Sequence, residues 1–229
     1  MVRDNLEKVE REIAVSCAKA GRQRQEITLV AITKGRSVEQ IQEVISCGIS
    51  DIGENRVQEA LLKYNDKRLA NSARLIKWHL VGHLQTNKVK EAVRIFDLIH
   101  SVDSLRLAKE IDKQAAKISK TQDILIEVKT SPEETKFGIN PDELPQFVKE
   151  IAQLKHISVK GLMTIAPMVD NPEKTRIYFR RLRMLLEEVN LLSTINYRLS
   201  AISMGMSDDF AAAIEVGSTM VRIGRAVFD

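Results

Sequence analysis

The chain has 229 residues, 44% of them apolar and 29% charged, with 35 basic against 31 acidic side chains and a net charge of +4. A domain of this mass buries roughly 72% of the surface that its unfolded chain exposes, so neither disulfides nor a structural metal is needed for folding, and the composition excludes disordered and fibrous classes. The positive excess is too small to call for a polyanionic partner, and 4% aromatics leave little for the stacking platforms that bind single-stranded nucleic acid. An amphipathic helix opens the chain over roughly Asn5 to Ala20. Strands are then predicted at Ile27 to Ile32, Ile49 to Gly53, Trp78 to Val81, Leu98 to Val102, Ile124 to Val128, Ser158 to Ile165, Leu199 to Ser203 and Thr219 to Gly224. Helical segments fill the gaps, with start signals at Ser37, Ser104, Asn140-Pro141 and Asn171-Pro172. Near-continuous apolar strands alternating with helices mean a parallel sheet buried on both faces, and eight of them fit a closed (β/α)8 barrel in one domain, residues 1–229. Only Arg225 to Asp229 follow the last strand, so the N-terminal helix is expected to cover the gap left there. An open doubly wound sheet is the alternative, but no GxGxxG follows the first strand. The start is too charged for a signal peptide and no apolar run approaches ~20 residues, so the expectation is a cytoplasmic protein. Cys17 and Cys47, in helical patterns without CxxC spacing, read as reduced thiols.

In a parallel barrel, functional side chains project from the C-terminal ends of the strands. Strand one ends in Thr33-Lys34-Gly35, strand two in Gly53-Glu54-Asn55, strand five in Glu127 to Lys129, strand six in Met163-Thr164, strand seven in Ser203 to Ser207 and strand eight in Arg222 to Arg225. A lysine whose stem lies on apolar walls loses solvation for its charge, and its neutral amine attacks carbonyls to form a Schiff base; the bland reading of Lys34 is a lysine reaching to solvent. Loops after strands seven and eight commonly hold phosphate. Asp208 and Asp209 put negative charge at the start of the helix that follows strand seven, so an anion there is expected to meet the backbone of the loop and of Gly224 and Arg225. Lys34 facing such a site points to a phosphorylated carbonyl compound, pyridoxal phosphate or a phosphosugar. His79 and His83 lack a carboxylate to complete a metal set and read as hydrogen-bonded structural histidines. Arg176, Arg180 and Arg183, interspersed with Glu187 and Glu188, read as a solvated face.

Seven motifs, in order along the chain, resemble those of the pyridoxal phosphate homeostasis protein family. They are Val30-Ala-Ile-Thr-Lys-Gly, Gly53-Glu-Asn-Arg-Val-Gln-Glu59, Trp78 to Lys88, Lys136-Phe-Gly138, Gly161-Leu-Met-Thr164, Ser203 to Phe210 and Gly217 to Gly224. The resemblance implies a single fold-type III barrel, similar to the N-terminal domain of alanine racemase, with pyridoxal 5'-phosphate on Lys34 and Asn55 close by. It further implies that Met163 walls the ring, that Ser203, Ser207, Gly224 and Arg225 hold the phosphate, and that Arg222 stands beside the pyridine nitrogen and keeps it unprotonated. Two departures from the racemases stand out. Gly35-Arg36-Ser37-Val38 follows the lysine without their aromatic phosphate ligand, and the chain ends where their β domain, carrying the second base, would begin.

The expectation is a monomeric carrier that buffers or transfers the cofactor, to apo enzymes or in concert with a regulatory protein, without robust turnover and without membrane or nucleic-acid partners. The rivals are an amino acid racemase or decarboxylase, a Schiff-base aldolase, and a regulatory interaction module responding to the cofactor.

Overall fold

The computed structural model describes residues 1–72, 76–131, 133, 137–192 and 198–229. Lys136 of the Lys136-Phe-Gly138 motif lies outside the described residues. Eight parallel strands close into one ring in the order of the chain: β1 (Thr28–Ile32), β2 (Asp51–Glu54), β3 (Lys77–Leu80), β4 (Leu98–Val102), β5 (Gln122–Glu127), β6 (Ile157–Met163), β7 (Ala201–Ser203) and β8 (Met220–Ile223). Ala31 pairs with Ile52 on one side and Ile223 on the other, which seals the ring between β8 and β1. The open-sheet alternative is thereby excluded. Ile165 and Gly224, expected inside strands, lie beyond the ends of β6 and β8.

The connecting helices are α2 (Val38–Ser46), α3 (Val57–Tyr64), α4 (Val89–Ile95), α5 (Leu105–Ala116), α6 (Leu144–Ile151), α7 (Arg176–Asn190) and α8 (Phe210–Val216), preceded by α1 (Val2–Lys19) and followed by one turn, α9 (Arg225–Phe228). Local chemistry starts several of them. Ser37 accepts from Gln40 N while the Gln40 side chain accepts from Ser37 N, a reciprocal cap on α2. Ser104 caps α5 through Leu107 N.

Strand alternation divides the apolar side chains into two sets. Leu29, Ala31 and Ile52 face the helices and join the large outer core, whereas Val30, Ile32 and Val81 cluster separately on the inner wall. Leu98, Leu125, Met163 and Ala201 form a second interior cluster. The stripe Val2, Leu6, Val9, Ile13 and Cys17 buries one face of α1 at helical spacing against α8 and α9. Arg22 pins its end by donating to the carbonyls of Ile214 (3.1 Å) and Ser218 (2.7 Å). The expected cover is therefore present, and α9 shares it. Cys17 and Cys47 are free thiols, Cys17 buried.

Ile13 is fully buried in that stripe. Ile13→Ala should destabilise the protein by about 2–5 kcal/mol, read from urea melts. A loss under about 1 kcal/mol would show that α1 is not integral to the barrel.

Candidate functional site

The row Val30, Ile32 on the inner wall of β1 continues to Lys34 in the turn that follows. Ile32 pairs with Gly53, and continuing that register sets Asn55 beside Lys34. A Cβ on Gly82 would stand 2.3 Å from the Asn55 carbonyl oxygen, so the chain after β3 packs directly on Asn55. Gly224 lies on the other side of β1, where an added Cβ would meet Ile32 at 3.4 Å. The Lys34 side chain is exposed and makes no hydrogen bond or ion pair with the described residues. The expected desolvation by apolar walls is thus absent, because the turn lifts the lysine clear of the row.

The loop after β7 and the turn after β8 meet beside this lysine. Ser207 Oγ accepts from Ala226 N (3.3 Å), and Arg225 pairs with Asp208. Asp209 turns inward to accept from Met206 N (2.7 Å). Both carboxylates of this loop are therefore engaged, and the backbone amides of Ser207, Gly224 and Arg225 donate to none of the described residues. Arg225 contributes its amide here, while its exposed guanidinium is taken by Asp208. A cavity of about 370 Å³ lined by Ile165, Pro167, Met168, Met206, Asp208 and Arg225 adjoins the loop.

Inside the barrel a buried polar chain crosses from wall to wall. Arg222 donates to Ser203 Oγ (2.6 Å) and to the Thr164 carbonyl (2.9 Å). Ser203 Oγ lies 3.0 Å from His100 Nδ1, His100 Nε2 lies 3.0 Å from His79 Nδ1, and His79 Nε2 lies 3.0 Å from Asp51 Oδ1. An arginine only donates and a carboxylate only accepts, so Arg222 donates to Ser203 at one end and Asp51 accepts from His79 at the other, while the two links between follow the imidazole tautomers. Burial, then His79 and Arg222, push His100 well below the ordinary histidine value and keep it neutral. Burial likewise lowers Arg222 to about 10, against the pull of Glu127 and Asp209, and leaves it charged at neutral pH.

This chain relocates several expected residues. Arg222, expected beside a ligand's ring, is buried on the inner wall with its guanidinium tied to Ser203 and the Thr164 carbonyl. The Ser203 hydroxyl is held between His100 and Arg222, apart from the Ser207 loop. Met163 is fully buried with Leu98, Leu125 and Ala201, beneath the mouth instead of in it. His79 and His83 do not meet: His83 pairs with Asp103 (3.3 Å) and stacks on Phe137 with ring centres 3.9 Å apart. No group of three or more His, Cys, Asp or Glu among the described residues is placed to hold a metal.

Sequence reading passed over Asp51, His100 and the role of Glu127. The available signal was a charged or imidazole side chain on the inward face of an apolar strand. The Glu127 carboxylate is buried, has no hydrogen-bond partner among the described residues, and lines a cavity of about 220 Å³ with Lys129, Thr130, Phe137 and Thr164. Burial, reinforced by Asp103 and opposed by Arg222, pushes its carboxyl up to about 7.

A barrel with a bare lysine at the end of β1 and unused amides at the end of β8 is a fold of the alanine racemase N-terminal class, and the sequence model of the family described as alanine racemase, N-terminal domain, matches residues 5–229. The chain is 44% identical to the pyridoxal phosphate homeostasis protein of Aquifex aeolicus (strain VF5), over 98% of this chain and 96% of the relative. It belongs to the pyridoxal phosphate homeostasis protein family. PipY of Synechococcus elongatus PCC7942, solved with PLP bound, superposes with a TM-score of 0.86 at 31% identity over 100% of both chains. The alanine racemase of Clostridium difficile 630 shares the fold alone, with a TM-score of 0.73 and 16% identity over 99% of this chain and 56% of the racemase.

Glu127 also marks the pH dependence of stability. Its folded value of about 7 lies above the ordinary 4.5, so the folded state binds more protons between those values and stability falls as pH rises through that window. Glu127→Gln should match the wild type near pH 4.5 and exceed it by up to about 3 kcal/mol at pH 8. A difference that does not change with pH would refute this assignment.

Proposed function

We propose that this protein binds pyridoxal 5'-phosphate reversibly on Lys34 and serves cofactor homeostasis as a carrier, in one barrel domain, residues 1–229, acting in the cytoplasm as a monomer. One observation carries the reading: an unengaged lysine amine stands beside three backbone amides that donate to nothing else among the described residues. A primary amine next to an anion-binding backbone is the donor set that a phosphorylated aldehyde requires. The site also has room. A Cβ on Gly224 makes only ordinary contact with Ile32, and glycine there keeps the backbone open to a phosphate. When bound, the cofactor supplies an aldehyde that condenses with an amine and is released again by hydrolysis or by a competing amine.

The chain's own groups divide the work. The amides of Ser207, Gly224 and Arg225 meet the phosphate, joined by the Ser207 hydroxyl, which accepts from Ala226 N and keeps its proton to donate. Arg222, locked by Ser203 and the Thr164 carbonyl, presents a fixed positive charge toward the ring. Asn55 borders Lys34, and Ser203 acts on the ligand through Arg222. Met163 supports the inner wall from below. Among the described residues no helix is long and apolar enough to cross a membrane. Relatives named for homeostasis support a carrier that loads apo enzymes or answers to a regulatory protein.

Glu127 favours a second reading, amino acid racemisation or decarboxylation, because a buried carboxyl that titrates near neutrality is suited to general acid–base work. Borohydride reduction of the protein loaded with pyridoxal phosphate should place the pyridoxyl group on Lys34 in peptide mass maps. Gly224→Val should fold normally yet retain the cofactor at least tenfold more weakly. The loaded protein should raise the activity of an apo pyridoxal-phosphate enzyme, whereas rapid deuterium exchange at the α-carbon of an amino acid, lost in Lys34→Ala, would promote the enzyme reading.

A further inference from the structure

Directly behind the Lys34 turn, outside the barrel, lies a polar cluster that the site does not use. Lys63, in the last turn of α3, is buried, and its ammonium donates to three oxygens at 2.7 Å each: the Thr33 carbonyl, Glu54 Oε1 and Glu59 Oε1. All three ammonium protons are used. Glu59 Oε1 also accepts from Gly35 N at 2.5 Å, and Thr33 Oγ1 donates to Glu54 Oε1 at 2.5 Å.

These bonds converge on the two peptide groups that flank Lys34. The Thr33 carbonyl belongs to the peptide before it and the Gly35 N–H to the peptide after it, so both planes are tied to α3. Gly35 has φ +69°, which side-chain-bearing residues avoid, and the turn needs that geometry to present the lysine. An exposed i,i+4 pair on a helix contributes only a few tenths of a kcal/mol. Here Glu59 and Lys63 form such a pair, yet each spends a bond on the turn's main chain.

We propose that the Glu59–Lys63 pair is a positioning device for Lys34, fixing the Thr33–Lys34–Gly35 turn so that the amine is delivered to the barrel mouth in one orientation. The inference rests on the reading of Lys34 as the attachment point. The pair touches no ligand; it acts by removing backbone freedom ahead of the reaction. Glu54, whose carboxyl is raised by burial despite Lys63 and Thr33, anchors the cluster to β2.

Glu59 is the residue to vary, because its side chain is 30% exposed and its truncation is tolerable. Glu59→Gln keeps an oxygen that accepts from Gly35 N; Glu59→Ala does not. Two quantities are measured: the rate of pyridoxal phosphate labelling at Lys34 after borohydride trapping, normalised to the exposed Lys117 in the same mass map, and hydrogen exchange at the Gly35 amide in protein without added cofactor. Glu59→Ala should slow normalised Lys34 labelling about tenfold and speed Gly35 exchange at least tenfold, while Glu59→Gln stays within about threefold of the wild type on both. If Glu59→Ala proves unstable, Glu59→Asp, which withdraws the oxygen by one methylene, carries the same expectation. Wild-type labelling rates in Glu59→Ala, with or without faster exchange, overturn the proposal alone. A wild-type protein that takes no label at Lys34 overturns the cofactor reading, and this proposal with it.

Discussion

A guanidinium buried inside a closed barrel is cut off from bulk solvent, and the interior of this protein is organised around that constraint. A buried charge costs several kcal/mol unless its donors are satisfied. Two of the Arg222 donors go to Ser203 and the Thr164 carbonyl, Ser203 leans on His100, His100 on His79, and His79 on Asp51. Five strands thus contribute to holding one charge below the mouth. The apolar clusters of the interior occupy what remains of the lumen around this chain.

Inner and outer walls do different jobs at the same strand ends. At β1, Ile32 faces inward toward Gly224 while Thr33 faces outward to Glu54 and Lys63. At β2, Gly53 faces inward against Ile32 and Val30, and Glu54 faces outward. One residue of register therefore separates the surface that meets a ligand from the scaffolding that holds that surface still. Among the described residues the two polar systems share no hydrogen bond, so each can be perturbed without dismantling the other.

The barrel was legible in the sequence because each strand is buried on both faces, so its apolar run stands out against the amphipathic helices. That Lys34, Gly224 and Ser207 follow strand ends was legible because a strand's end is visible in the chain. The relay was not. His100 and Ser203 are 103 residues apart, and their contact depends on how a closed ring brings the inner faces of strands that are not neighbours together, which no local pattern encodes. Lys63 and the Thr33 carbonyl, 30 residues apart, meet only because α3 packs back over the turn after β1. Met163 and Ser203 sit at a strand end, as expected, but their side chains point into a filled lumen, and depth along the barrel axis is invisible in one dimension. Lys34 was given apolar walls that it lacks because β1 ends at Ile32, two residues before it.

The relay can also be viewed as two charges, Arg222 on β8 and Asp51 on β2, joined through the interior by one hydroxyl and two imidazoles standing in for solvent. Liquid water around separated ions reorients freely. These three groups cannot, since each is tied to a strand of the wall and to two neighbours in the relay. The Arg222 charge is thus backed by a fixed chain of polar groups that is in place when the ring closes, before any ligand arrives.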